Sequence, residues 1–323
     1  MPGPPRLRSD LIVRYDAHAV STDSARPFLI DTDPGIDDAL ALLLAWGCPE
    51  IAVEAITTVA GNVPVQVGTT NVFRLLALRR PEPAPVVAIG AERPLKRSLE
   101  TAIRYHGGDG LGDVGDWPPV EITPIAEPAA KLIAATARRR SGVLTVVALG
   151  PLTNLALTLD ADATALAHVR RLVVMGGAVD VPGNTTPTTE FNAHVDPEAA
   201  ARVFTAGLPL ELVPLDATRQ AVLTNAELER SLVTRPGPVA ERVAAITRRA
   251  FAANPGGLHM HDPLAVAAAI DPTLIDWEPV RIAIGAEGET RRIPGPANCR
   301  VARRVDRARF IATLLERLCP ASS

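Results

Sequence analysis

Four carboxylates, Asp31, Asp33, Asp37 and Asp38, fall within eight residues of the stretch FLIDTDPGIDDALALLLA at 28–45. Gathered at one turn, they would repel one another unless a positive charge sat among them. Oxygen ligands at this density suit a hard cation, Ca²⁺ or Mg²⁺. An Asp-rich helix start, favoured by the helix dipole, accounts for Asp37 and Asp38 but leaves Asp31 and Asp33 unexplained. A second group, GNTTPTTEFNAHVD at 183–196, holds Asn184, Glu190 and Asn192. Amides beside a carboxylate offer donors and acceptors together, as a polyhydroxylated ligand needs. The plainer account is a polar loop with a helix cap at Asp196. The third group is HMHDPLAVAAA at 259–269. Asp262 is placed there either as the N-cap of an apolar helix or as a carboxylate offered to a metal. His261 beside it could act as an acid near neutral pH, with His259 two residues earlier. A packed structural histidine is the alternative.

The elements that must position these groups alternate along the chain. Phe28–Ile30 has the apolar character of a buried strand, Pro34-Gly35 a turn, and Ala39–Ala45 a helix. Strands are expected at 51–60, 85–90, 143–149, 172–175, 210–213 and 280–284. Helices are expected at 66–78, 127–140, 153–159, 196–206, 265–270 and 306–318, and over 225–252 with a break at Pro236-Gly237. Residues 91–124, including YHGGDGLGD, have no clear period and suggest a functional lid. This alternation predicts a doubly wound, mostly parallel α/β sheet with a Rossmann-like core. Such sheets bind ligands beyond the carboxyl ends of their strands. Asp31, Asp33, Asn62, Leu149, Met175 and Asp216 all follow strands and should converge on one crevice.

Composition narrows the class. The chain has 323 residues, is 47% apolar and carries a net charge of -3, enough for a sizeable core and without a nucleic-acid or membrane footprint. Aromatics make up only 3%, too few for a base-stacking platform on single strands. Cys48, Cys299 and Cys319 are scattered, without metal spacing, and argue for a reducing compartment. With no apolar leader in the first residues, a cytoplasmic protein is expected. Residues 1–26 read as a loosely ordered extension and 27–323 as a single domain.

Seven segments in order carry a more specific likeness: DTDPGIDDALALLLA, ITTVAGN, ALGPLTN, VVMGGA, GN followed by EFNAHVDPEAA, PLDAT, and HDPLAV. Together they resemble the nucleoside hydrolase family, the calcium-dependent inosine-uridine preferring N-ribohydrolases. The resemblance implies hydrolysis of the N-glycosidic bond of ribonucleosides to free base and ribose. It implies Ca²⁺ held by Asp33, Asp38, Asp262 and the backbone carbonyl of Leu149, with the ribose 2′- and 3′-hydroxyls and one water completing the shell. Asp33 would take the proton from that water. Asp37 would hold the 2′-hydroxyl, and Asp31 would support the loop from behind. Asn62, Asn184, Glu190 and Asn192 would bind the sugar hydroxyls, and Met175 would pack on the ribose. Asp262 would touch both metal and sugar. His261 would assist the departing base, and His106 would contact it. The partners implied are a small ribonucleoside and further copies of the chain, as a homodimer or homotetramer, with no nucleic acid and no membrane. Asp38→Ala is expected to abolish metal binding and to unfold the protein little, because repulsion is relieved along with the ligand.

Departures from the family pattern bear on the base preference and not on the ribose chemistry. Thr189 stands where a small apolar residue is common, and Arg219 where a histidine is often seen. NPGGLHM lacks the tyrosines of some purine-preferring members, and ETRRIPG is shorter and more basic than usual. Two other readings compete. A haloacid dehalogenase-type phosphatase also places Asp-x-Asp after its first strand, but it wants Thr or Val where Gly35 stands. A non-catalytic nucleoside-binding protein on the same fold would be favoured by loss of a metal carboxylate, and all three are present.

Overall fold

The computed structural model describes residues 25–318, so most of the expected N-terminal extension, residues 1–24, and Cys319 lie outside the described residues. The chain opens with Arg26–Thr32 (β1), Ile36–Trp46 (α1), Ile51–Thr58 (β2), Val65–Arg79 (α2), Val86–Ile89 (β3) and Ile103–His106 (α3). It continues through Ala129–Arg139 (α4), Thr145–Ala148 (β4), Thr153–Ala161 (α5), Arg171–Met175 (β5), Phe191–Val195 (α6), Pro197–Phe204 (α7), Leu210–Val213 (β6) and Leu215–Thr218 (α8). The last part holds Val222–Leu223 (β7), Asn225–Thr234 (α9), Pro238–Ala253 (α10), Leu258–His259 (β8) and His261–Ile270 (α11). Then follow Ile275–Val280 (β9), Ile282–Ile284 (β10), Thr290–Arg292 (β11), Cys299–Val305 (β12) and Arg307–Leu318 (α12).

Eight strands form one sheet in the order β3-β2-β1-β4-β5-β6-β12-β9. All neighbours run parallel except β12 and β9, which pair antiparallel at one edge. This is the mostly parallel α/β architecture expected from the alternation. The strand order reverses between β1 and β4, so the crevice beyond their carboxyl ends is the natural ligand site. Register places Asp31 of β1 beside Thr57 of β2 and Ala148 of β4.

The helix that starts inside the acidic turn is apolar all round, as a buried helix is. Leu40, Leu42, Leu43 and Leu44 of α1 are fully buried. At about 1.5–3 kcal/mol for each leucine taken from water, these side chains hold the helix start rigidly against the sheet. Beside it on the sheet α1 packs against α11, which carries Asp262. The acidic turn and HDP are thus brought together by two core helices.

Three expectations shift. The late strand expected over 280–284 is two strands, β9 and β10, broken at Arg281, and β10 turns away to pair with β11. The short helix expected at 265–270 begins earlier, at His261. Asp262 is therefore not its N-cap: Met260 holds that position, and Asp262 is the second residue of the first turn, where its carboxylate meets the N-terminal dipole from inside the helix. By contrast, Asp196 does cap α7, accepting from the Ala199 amide at 3.0 Å, with Pro197 at the first turn.

Candidate active site

At the carboxyl ends of β1 and β4, one oxygen each from Asp37, Asp38 and Asp262 lies within 4.8 Å of the others. Asp33 stands against this group. Its Oδ2 accepts from the Asn62 amide at 2.7 Å, while its Oδ1 is buried with no hydrogen-bond partner. Two glycines make room for it: a Cβ on Gly61 would stand 2.1 Å from Asp33 Oδ2, and one on Gly150 2.6 Å from Oδ1. The backbone of ITTVAGN and ALGPLTN therefore clamps the Asp33 carboxylate from both sides.

Asp38 is held by three donors. Thr32 Oγ1 donates to Oδ1 at 2.5 Å, and the Gly35 amide and Asn62 Nδ2 donate to Oδ2 at 2.9 and 3.0 Å. The Gly35 contact makes Asp38 the third-position partner in the capping of α1. This corrects the expectation that Asp38→Ala costs little stability. Alanine leaves three buried donors without an acceptor, at about 1–3 kcal/mol each, and the relief of repulsion offsets only part of that. We expect Asp38→Ala to lower the melting temperature of the metal-free protein clearly, where Asp38→Asn lowers it less; equal melting for wild type and Asp38→Ala would contradict the capping role.

Asp31 is pinned behind this group. Thr57 Oγ1 and Asn154 Nδ2 donate to its Oδ1 at 2.5 and 2.7 Å, and its Oδ2 is orphaned. Asn154 also receives the Ala91 amide at 2.9 Å, tying β1 to the segment after β3. Its place in ALGPLTN was visible in the sequence, but a buried amide in an apolar helix carries no local mark of its partner.

The electrostatics call for a cation. Burial raises the Asp31 carboxyl to about 7. Burial, then the charge of Asp38, raises Asp37 to about 7 and Asp33 well above the ordinary range. Burial, then Asp37, Asp38 and Asp33, raises Asp262 likewise. The charges named as acting on Asp33, Asp37 and Asp262 are those of one another and of Asp38, all negative. Oxygen-only donors, an orphaned buried carboxylate oxygen and uncompensated mutual repulsion fit a hard divalent ion.

Above the carboxylates opens a cavity of about 330 Å³. Asp37, Asn62, His106, Leu149, Met175, Asn184, Glu190, Asn192, His261 and Asp262 all line it, so the structure gathers most of the sequence-selected residues on one space. Asp33 and Asp38 lie beneath the lining. Asp216 does not join them: it accepts from the Val179 and Asp180 amides and pairs with Arg303. Glu190 accepts from the Asn192, Gly177 and Ala193 amides, which fixes its carboxylate at the start of α6, and burial raises its pKa. Asn192 donates to the Leu149 carbonyl at 2.6 Å, leaving that oxygen a second lone pair. Asn184 accepts from the Phe191 amide at 2.9 Å. Tyr105 and Asn254 also line the cavity and were not singled out from sequence.

His106 sits on α3 within the 91–124 segment, and its Nδ1 accepts from the Ile36 backbone amide at 3.0 Å. A backbone N–H can only donate, so the ring proton is on Nε2. Burial lowers its pKa to about 4, keeping it neutral. A Cβ on Gly35 would come within 2.5 Å of that ring, so the turn needs glycine there for close approach. Asn71 Nδ2 ties the segment to the acidic turn, donating to the carbonyls of Asp109 and Pro34 at 2.8 and 3.1 Å. His261 Nδ1 lies 2.7 Å from Thr218 Oγ1. Burial, then the charges of His259 and Arg219, lowers its pKa to about 3. Arg219 itself donates to the Gly183 carbonyl at 2.9 Å, bracing the loop that carries Asn184.

Residues 28–312 match the sequence model of a family described as inosine-uridine preferring nucleoside hydrolase. A pyrimidine-specific ribonucleoside hydrolase RihA from Shewanella sp. (strain MR-7) is 37% identical over 310 residues, 91% of this chain and 96% of that protein. A non-specific ribonucleoside hydrolase RihC from Escherichia fergusonii is 38% identical over 307 residues, 92% of this chain and 99% of that one. Among solved structures, a plant nucleoside hydrolase, the PpNRh1 enzyme, superposes with a TM-score of 0.85 at 32% identity, covering 91% of this chain and 99% of the other. A purine-preferring ribonucleoside hydrolase from Gardnerella vaginalis gives 0.85 at 30% identity, covering 91% and 98%.

Proposed function

The chain belongs to the inosine-uridine preferring nucleoside hydrolase family, and from that premise we propose how its own residues divide the work of cleaving a ribonucleoside. The protein is an enzyme that hydrolyses ribonucleosides to free base and ribose. The observation that carries the assignment of roles is the orphaned Asp33 Oδ1, on a carboxylate linked through Asn62 to Asp38 of the Asp37, Asp38 and Asp262 cluster, under a cavity rimmed by amides and Glu190.

Asp33 takes the proton of the attacking water at Oδ1, the oxygen with no other partner. Breaking the C–N bond builds positive charge on the ribose, and the buried carboxylates around it stabilise that charge. Asp37, Asn62, Asn184, Glu190 and Asn192 receive the sugar hydroxyls, and Met175 packs on the ring. Asp262 lies where it can meet both ion and sugar, and Asp31 holds the loop through Thr57 and Asn154. Calcium, held by Asp33, Asp38, Asp262 and the Leu149 carbonyl, would orient the ribose diol and lower the pKa of the water. Elemental analysis of the purified protein should find calcium; stoichiometric zinc without calcium would refute this donor set.

At the base end, His106 offers Nε2–H to an acceptor on the base. His261, braced by Thr218, supports the leaving base as negative charge builds on it. The test separates leaving groups. His261→Ala should lose about 10²–10⁴-fold in kcat on a natural nucleoside but keep much of its activity on p-nitrophenyl riboside, whose leaving group needs no help. The His259→Ala and double variants run in parallel, since the two rings lie 5.8 Å apart. Equal losses on both substrates in a stable, metal-loaded His261→Ala protein would end this role.

The same proposal takes residues 27–323 as one hydrolase domain, working as a homodimer or homotetramer in the cytoplasm. Among the described residues no helix is long and apolar enough to cross a membrane, and Cys48 and Cys299 are buried free thiols, which fits a reducing compartment.

A further inference from the structure

A second cavity, of about 590 Å³, opens at the amino ends of the strands, the opposite edge of the sheet from the carboxylates. Arg26 of β1, Arg170 and Arg171 at the start of β5, and Arg300 of β12 line it, with Glu211 of β6 as the only carboxylate among the described residues that do so. Four guanidinium groups against one carboxylate leave a formal charge of +3 there. Glu211 is already shared, by Arg171 at 2.5 Å and Arg300 at 2.9 Å. Arg171 also donates to the carbonyls of Ala268 and Ala269, and Arg26 to that of Ile270, so both brace the C-terminus of α11. Arg170 is exposed, and its side chain has no hydrogen bond or ion pair among the described residues.

Among the described residues, the nearby carboxylates outside the lining are already paired. Glu50 and Asp271 are the carboxylates whose charge reaches Arg26, and they are paired with Arg317 and Arg309 respectively. Burial, then the charges of Arg171 and Arg170, holds the Arg26 guanidinium below its ordinary pKa, so the arginines repel one another across the space. Leu208, Pro209 and Pro279 supply apolar walls. The chain as a whole carries -3, so this is a local concave basic site and not part of a polyanion-binding surface.

We propose that this cavity binds a small phosphate dianion, either inorganic phosphate or the phosphate group of a small phosphate monoester. Guanidinium forks match tetrahedral phosphate oxygens and give charge-assisted, often bidentate hydrogen bonds. The unengaged Arg170 fork, with the remaining donors of Arg26 and Arg300, supplies the contacts. A ribonucleoside is uncharged, so this site does not serve the substrate and is independent of the hydrolytic reading.

Calorimetric titration of the full-length protein with sodium phosphate, ribose 5-phosphate and, at matched ionic strength, sodium chloride tests it. Phosphate should give a saturable one-to-one signal, weakened by about tenfold or more in Arg170→Ala and lost in Arg170→Glu. Because Arg170 touches neither core nor catalytic group, both variants should keep the wild-type melting temperature and nucleoside turnover. Tighter binding of ribose 5-phosphate assigns the site to a monoester, and equal binding to free phosphate. The proposal is overturned by no saturable signal with either millimolar phosphate or millimolar ribose 5-phosphate, by an equal response to chloride, or by unchanged affinity in Arg170→Glu.

Discussion

Asp33→Asn is expected to lower kcat on a ribonucleoside by about 10²–10⁴-fold, the range for loss of a positioned general base, with little change in melting temperature. The substitution is nearly isosteric, and the space around this side chain is fixed by Gly61 and Gly150. Asparagine can keep the acceptor that faces the Asn62 amide. Its other atom, at the Oδ1 position, becomes an amide nitrogen that cannot take a proton. Calcium content should be measured in the same protein, because Asp33 is also assigned as a ligand. A protein that binds calcium, melts like wild type and turns over within threefold of it would remove Asp33 from the role of base.

The second large effect concerns the sugar. Removing the 2′-hydroxyl should cost about 10⁴-fold in kcat/KM, as expected when a site built to bind a hydroxyl is offered an analogue without it. Asp37, Asp262 and Glu190 line the cavity as carboxylates, and each left unpaired on substrate binding bears a desolvation penalty. Uridine against 2′-deoxyuridine is the direct comparison, with inosine against 2′-deoxyinosine as its purine counterpart. Equal kcat/KM within either pair would contradict the assigned pose of the ribose.

Much of this was legible because the acidic turn is local. A strand, a Pro-Gly turn and an apolar helix fix Asp31, Asp33, Asp37 and Asp38 from within eighteen residues, 28–45. Alternating strands and helices gave the parallel sheet for the same reason. What was not legible depends on distant partners. Strand β12, CRVARRV, was not singled out, because its arginines break the apolar pattern, and they are tolerated through Glu211 and Asp180 on other elements. Asp38 looked like a ligand alone, yet Thr32, Gly35 and Asn62 also make it a structural acceptor. Glu190 was chosen for its ribose chemistry, and its carboxylate is also the N-cap of α6. For Asp262 the sequence left a cap and a metal carboxylate as alternatives, because helix propensity around His261 does not mark where α11 starts. For Asp38 and Glu190 the residue was found and its second task was set by the fold.

The central claim is tested most directly by incubating the protein with uridine, cytidine, inosine and adenosine in phosphate-free buffer and measuring free base and reducing sugar together. The account predicts equal amounts of base and ribose from at least one of these ribonucleosides, lost on calcium removal and restored on its return. No release from any of them by the calcium-loaded protein, or release only when phosphate is added and with ribose 1-phosphate as the sugar product, would contradict it.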